Sequence, residues 1–255
     1  MRLLNRDGKS NLHTHSIYCD GKNEPEELVQ RAIALGFTEL GFSGHEYAPY
    51  DLDVCMTPEG TLAYRERILA LQNLYRGLIN IRLGIERDFY GPGDDYPYDY
   101  VIGSVHYLKC GDDYVCVEDT PERLIAGAEK HFHGDFRALV ECYYETVSHV
   151  VEKTGANIIG HFDIVTKFNE GNRFFDEESR WYRDAARSAL AAAAATRPIL
   201  EINTGAMAKG YRTRPYPARF LIKEADRLGL DLLLSSDCHD AGKLDYGFAD
   251  LIKSI

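Results

Sequence analysis

The sequence predicts an α/β barrel of one domain, and three observations carry that reading. The chain has 255 residues, close to the ~250 at which such barrels commonly run as a single domain. Short β-like runs alternate with helix-like stretches along its length, the mark of βα units around a parallel sheet. Histidines and acids recur just after those runs, where a barrel gathers the C-terminal ends of its strands into one mouth.

The elements follow in order. A brief first strand lies around Lys9–Leu12. Pro25–Leu35 reads as a helix, because Leu28, Val29, Ala32 and Ile33 recur at helical spacing and Gly36 offers a C-terminal stop. Glu39–Ser43 is the second strand, and Thr57–Arg76 is a helix with Leu62, Ile68, Leu69 and Leu74. NIRLGI at Asn80–Ile85 and YVIGSV at Tyr100–Val105 are the third and fourth strands. LKCGDDYVCVE at Leu108–Glu118 reads as a hairpin turning at Gly-Asp-Asp, followed by two helices, the second over Asp135–Thr154. Such a long excursion sits at one mouth of a barrel, where it shapes substrate access. The fifth strand is Asn157–Gly160, the sixth PILEI at Pro198–Ile202 and the seventh DLLLSS at Asp231–Ser236. Helices over Asp176–Thr196 and Ala218–Leu228 flank the sixth, the run Leu190–Ala195 having high helix propensity. No repeat, linker or low-complexity segment interrupts the series, so residues 1–255 read as one domain.

Composition narrows the function. A net charge of −11 argues against a general nucleic-acid binder, which meets phosphate backbones with clustered Lys and Arg. The N-terminus lacks the apolar run of a signal peptide, and no stretch approaches the ~18 apolar residues of a membrane span. Six scattered cysteines without a C-x-x-C pair fit reduced thiols in the cytoplasm. The expectation is a cytoplasmic protein with neither nucleic acid nor membrane as a partner.

Position is the informative property of the histidines. His13 and His15 follow the first strand and His45 the second. Glu86 ends the third, His106 the fourth and His161 the fifth, while Asp237 and His239 follow the seventh. One histidine after a strand is ordinarily a hydrogen-bonded structural residue, but this many converging on one mouth read as metal ligands. His13-Thr14-His15 adds weight, since i and i+2 share a side of an extended segment, and Asp237-Cys238-His239 repeats the spacing. His131-Phe132-His133 has the same spacing at the end of a helical stretch. There it reads as histidines favouring the negative end of the helix dipole.

H-T-H-S-x-x-x-D-G at His13–Gly21 resembles the first motif of the PHP (polymerase and histidinol phosphatase) superfamily. SGHE around His45, the Glu86 strand end, GSVH, GHFD at Gly160–Asp163 and SSDCH at Ser235–His239 are similar to its later motifs, in the same order. The resemblance implies a distorted (β/α)7 TIM-like barrel, which agrees with the seven strands read from the residues alone. It also implies a ligand set. His13, His15, Glu86 and Asp237 would hold one ion, and Asp20, His45 and His239 a second. His106 and His161 would hold a third, with Glu86 bridging to the first. His13, His15, Glu86, Asp237 and His239 are the expected catalytic residues among them. Cys19 stands where many relatives have a small hydroxyl residue; it and Cys238 are expected to pack around the ligands.

Two or three divalent ions are expected; three of them against three carboxylates and neutral imidazoles, with a bridging hydroxide, leave a cluster of about +2, matched to a phosphate monoester dianion. Imidazole-rich ligation favours Zn, Fe or Mn over Mg. The expected chemistry is in-line attack of a metal-bridging hydroxide on phosphorus. Lys167 after the fifth strand, and Lys209, Arg212 and Arg214 on the loop after the ligand-free sixth, are candidates to orient the phosphate, Lys167 and Arg214 foremost. GSVHY, GHFDIVTKF and EINT followed by PYP resemble the monofunctional histidinol-phosphate phosphatase branch, which implies a small phosphorylated substrate, L-histidinol phosphate. The alternatives are a phosphoesterase for another small ester or an oligonucleotide, an amidohydrolase-like enzyme, which typically shows a bridging lysine absent from these strand ends, and a metal-binding module without catalysis.

Overall fold

The computed structural model describes residues 1–254. Its elements run β1 (Arg2–Leu3), β2 (Ser10–Asn11), α1 (Pro25–Ala34), β3 (Glu39–Phe42), α2 (Pro58–Leu74), β4 (Asn80–Asp88) and β5 (Tyr100–Ser104). The excursion follows as β6 (Tyr107–Cys110), β7 (Asp113–Cys116), α3 (Pro121–Phe132), α4 (Phe136–Ser148) and α5 (Val150–Thr154). The chain then returns through β8 (Ile158–Ile159), α6 (Arg180–Ala193), β9 (Ile199–Asn203), α7 (Gly205–Ala208), α8 (Arg219–Arg227), β10 (Asp231–Ser235) and α9 (Phe248–Ser254).

Local chemistry starts the helices where the sequence signals them. Thr57 accepts a hydrogen bond from the Gly60 amide ahead of Pro58, and Thr120 accepts one from Arg123 ahead of Pro121. A Glu24–Glu27 capping box precedes α1. The expected helix over Asp135–Thr154 is instead two, parted at His149, and β1, α7 and α9 lie outside the expected elements. The hairpin is antiparallel as read, with Gly111 at φ +65° at its turn.

The sheet is parallel throughout, in the order β1-β10-β9-β8-β5-β4-β3-β2, and it curls into a TIM-like barrel. β1 pairs with the start of β10 and then leaves it. The Asn5 side chain continues the pairing, bonding to both the amide and the carbonyl of Leu234. Further along, Thr14 bridges Cys238 in parallel, with the His15 amide on the Cys238 carbonyl (2.8 Å) and the Cys238 amide on the His13 carbonyl (3.0 Å). The ring therefore closes at the level of the two x-spaced motifs.

Most of the core lies between the sheet and its helices. A smaller cluster of Tyr100, Ile102, Ile158 and Leu233 is separate from it. Tyr100 donates to the Leu12 carbonyl (2.5 Å) from the start of β5, and its ring occupies the space that side chains at Gly41 and Gly84 would need. The strand starts are thus plugged by an aromatic ring, and the strand ends are left to polar groups. Among the described residues no helix is long and apolar enough to cross a membrane.

Candidate metal centre

The strand ends bring all nine expected ligands together. The β3–β4 pairing extends as a bridge between His45 and Glu86, which sets those two side by side. Glu86 is the hub. One carboxylate oxygen lies 3.1 Å from His13 Nε2, 3.2 Å from His45 Nδ1 and 3.4 Å from His15 Nε2. The other lies 3.1 Å from His161 Nε2 and 3.3 Å from His106 Nε2, and accepts from Ser104 Oγ at 2.6 Å. Asp237 sits 3.2 Å from His15 Nε2, and Asp20 sits 2.9 Å from His239 Nε2.

Asp237 adopts a left-handed backbone (φ +49°), uncommon for a residue with a side chain, and this turn at the end of β10 precedes His239. Gly205 permits it, since a Cβ there would come within 2.9 Å of the Asp237 side chain.

The donors form overlapping groups: His15, Asp20, His45 and His239; His13, Glu86 and His161; His13, His15 and Asp237; His45, Glu86 and His106. Within each group the ligand atoms lie within 4.8 Å of one another. The overlap differs from the expected partition in one respect. His13, His15 and His45 each stand in two groups, as Glu86 does, so none of these histidines belongs to a single ion by geometry alone.

The electrostatics fit cations. Burial opposes the charge of Glu86, yet His13, His45 and His106 hold its carboxyl well below the usual range. Burial likewise opposes Asp237, and His13 and His15 hold it low. His15 goes the other way, lowered to about 3 by burial and by the neighbouring His239 and His45. That favours its neutral form, the form in which an imidazole can ligate a metal. Buried nitrogens and carboxylates converging at this spacing suit divalent ions of borderline softness.

A second layer orients these ligands. Glu201 lies 2.6 Å from His13 Nδ1, accepts the His161 amide at 2.6 Å and receives Ser235 Oγ and Asn203 Nδ2. The sixth strand carries none of the expected ligands, and it contributes this buried carboxylate behind them instead. The signal was present, an acid between Leu200 and Ile202 in an otherwise apolar run. Asp88 accepts the His106 amide (2.8 Å) and the Tyr50 hydroxyl (2.6 Å). Burial, helped by Asp20, pushes the Cys19 thiol up to about 12. Cys238, also near 12, donates to the Asp240 carbonyl, so both stay protonated and pack.

The cluster floors a cavity of about 280 Å³ whose walls include Tyr107, Glu118, Arg123, Lys167 and Lys209. Lys167 Nζ lies 2.8 Å from Glu118. The hairpin and α3 thus supply one wall, as the long excursion suggested. Two expectations are corrected. Arg212 is buried and its guanidinium is taken up by Glu177 and the Thr166 carbonyl. Arg214 borders a different pocket, beside Met1 and Leu251. The loop after β9 returns along Tyr216, which pairs with Asn203, and this carries both arginines away from the mouth. His131 and His133 lie at the end of α3, outside the site.

Comparison with known proteins agrees with this picture. A Deinococcus radiodurans protein named "Probable histidinol-phosphatase" is 31% identical over 97% of this chain and 93% of its own length. The Bacillus subtilis "Histidinol-phosphatase" is 28% identical over 96% of this chain and 97% of its own. Among solved structures, histidinol phosphate phosphatase from Lactococcus lactis, in complex with zinc, L-histidinol and phosphate, superposes with a TM-score of 0.69. It is 24% identical and covers 97% of this chain and 93% of that one. The PHP domain model matches residues 11–205, from the end of β2 through β9, and the chain belongs to the PHP domain family.

Proposed function

We propose that the protein hydrolyses L-histidinol phosphate to L-histidinol and phosphate, the step that yields histidinol in histidine biosynthesis. The observation that carries this is the convergence of His13, His15, Asp20, His45, Glu86, His106, His161, Asp237 and His239 in overlapping groups: seven of them line one cavity that also holds two lysines, and His13 and His15 lie buried among them. The full-length relatives named for this activity support the choice of substrate.

Two or three divalent ions, of Zn, Fe or Mn, would be held by these nine residues. When bound they supply Lewis acidity toward the phosphoryl oxygens and activation of water. The chain does the rest. Lys167 and Lys209 orient the phosphate dianion and offset its charge. Glu201 holds His13 in one orientation, and Asp88 does the same for His106. Asp51 and Asp53 at the rim present negative charge to the cationic alcohol. Six free thiols fit a reducing cytoplasm.

The test is phosphate release from L-histidinol phosphate beside sugar phosphates, nucleotides, oligonucleotides and p-nitrophenyl phosphate, with bound metal quantified. Preference for histidinol phosphate supports the proposal. Metal-dependent release from another ester alone would keep the chemistry and sink the substrate.

A further inference from the structure

Lys167 poses a positioning problem. A lysine carries its charge on a flexible four-carbon stem, so fixing that charge against a cavity requires a fixed backbone and walls around the stem. Its ammonium lies 2.8 Å from Glu118 and stands 5.3 Å from the Tyr211 ring centre and 5.6 Å from that of Phe168. Both constraints trace to one guanidinium. Arg212, next in sequence to Tyr211, donates from Nη1 to the carbonyl of Thr166 (2.9 Å), the residue before Lys167. It also grips Glu177 with two bonds, of 2.8 and 2.9 Å, and Glu177 in turn accepts from Asn169 at 3.0 Å.

Arg212 and Glu177 are both buried, at 7% exposure. A buried ion pair is on balance about neutral for stability against an apolar pair of the same volume, so stability alone does not account for it. What a planar two-pronged contact adds is geometry. We propose that Arg212 is a positioning residue, which fixes Lys167 at the metal cavity by clamping the Thr166 carbonyl and the Tyr211 wall to Glu177. The inference rests on the reading that Lys167 orients the substrate's phosphate.

The experiment is a double-mutant cycle on the metal-loaded, full-length protein. It measures kcat and KM for L-histidinol phosphate, the inhibition constant of inorganic phosphate, metal content and Tm for K167A, R212K and the pair. R212K keeps the charge and loses the fork. It is expected to lower kcat/KM on the order of tenfold and to weaken phosphate inhibition in step, with metal content unchanged. In the K167A background the same change should cost less than about twofold, because the group it positions is gone. Arg180→Ala, which removes an exposed pair with Asp184 on α6, should change none of these. If R212K does not accumulate as folded protein, E177Q tests the same clamp. Equal losses from R212K with and without Lys167, or no loss at all, would overturn the positioning role while leaving the phosphatase reading intact. A silent K167A would instead remove the Lys167 reading and the inference with it.

Discussion

His13-Thr14-His15 and His131-Phe132-His133 share a spacing and nothing else. The first pair lies on extended backbone at the closing seam of the barrel, with ring centres 5.1 Å apart and both side chains fully buried. The second ends α3. His133 turns left-handed at the cap (φ +55°) and His131 lies 3.2 Å from the exposed Asp113. Residues i and i+2 face one way on a strand and diverge on a helix, so one spacing converges lone pairs and the other disperses them. Neighbouring strand ends then add donors from elsewhere in the chain, which a helix end on the surface cannot collect. A motif of this kind has meaning only with the backbone that carries it.

The largest test of the contrast is deletion of a ring. His13→Ala or Asp237→Ala should lower kcat/KM by about 10³-fold or more and empty part of the site, measured by phosphate release and elemental analysis. His131→Ala should leave both within about twofold. Comparable losses at the two places would dissolve the distinction.

The carboxylate behind each ring sharpens it. Glu201→Gln, which weakens the acceptor 2.6 Å from His13 Nδ1, should cost about 10–100-fold in metal affinity or activity. Asp113→Asn behind His131 should cost nothing measurable in either, since Asp113 is exposed and the pair lies outside the metal cavity. Titration with a competing chelator reads the difference directly.

Stripping the metal should lower Tm on the order of 10 °C, because bound ions stabilise only the folded state. The pH dependence has a definite sign. In the stripped protein burial works against the charge on His13 and His106, yet Glu201 and Glu86 hold these imidazoles protonated well above the usual histidine range. That contribution is complete below pH ~6.5 and is lost as pH rises through the raised values. Metal loading behaves oppositely, since its ligands must be deprotonated. The Tm gap between loaded and stripped protein should therefore widen between about pH 6 and pH 8 in thermal melts. A gap that narrows would mean the ions sit elsewhere.

The smallest expected effect is at the helix end itself. His133→Gly, which relieves the left-handed cap, should leave activity unchanged and raise Tm by no more than ~2 °C.

Much of this could be read along the chain because it is local. The alternation of strand and helix, the Thr-Pro helix starts and the position of each candidate ligand after a strand depend on neighbours a few residues away. Strand direction then does the gathering, since every parallel strand delivers its last residue to the same mouth. Three matters were settled only by the tertiary structure. Glu201 reaches His13 across 188 residues, and only ring closure through Thr14 and Cys238 brings those two strands together. Lys167 meets Glu118 because the excursion folds back over the mouth, a path that no periodicity encodes. Arg212 and Arg214 lie on the loop that suited a phosphate contact, yet the pairing of Asn203 with Tyr216 turned one inward to Glu177 and the other to a separate pocket. Residue type and local spacing determine what a side chain can do; which partner it meets is decided by contacts that form only when distant segments close on each other.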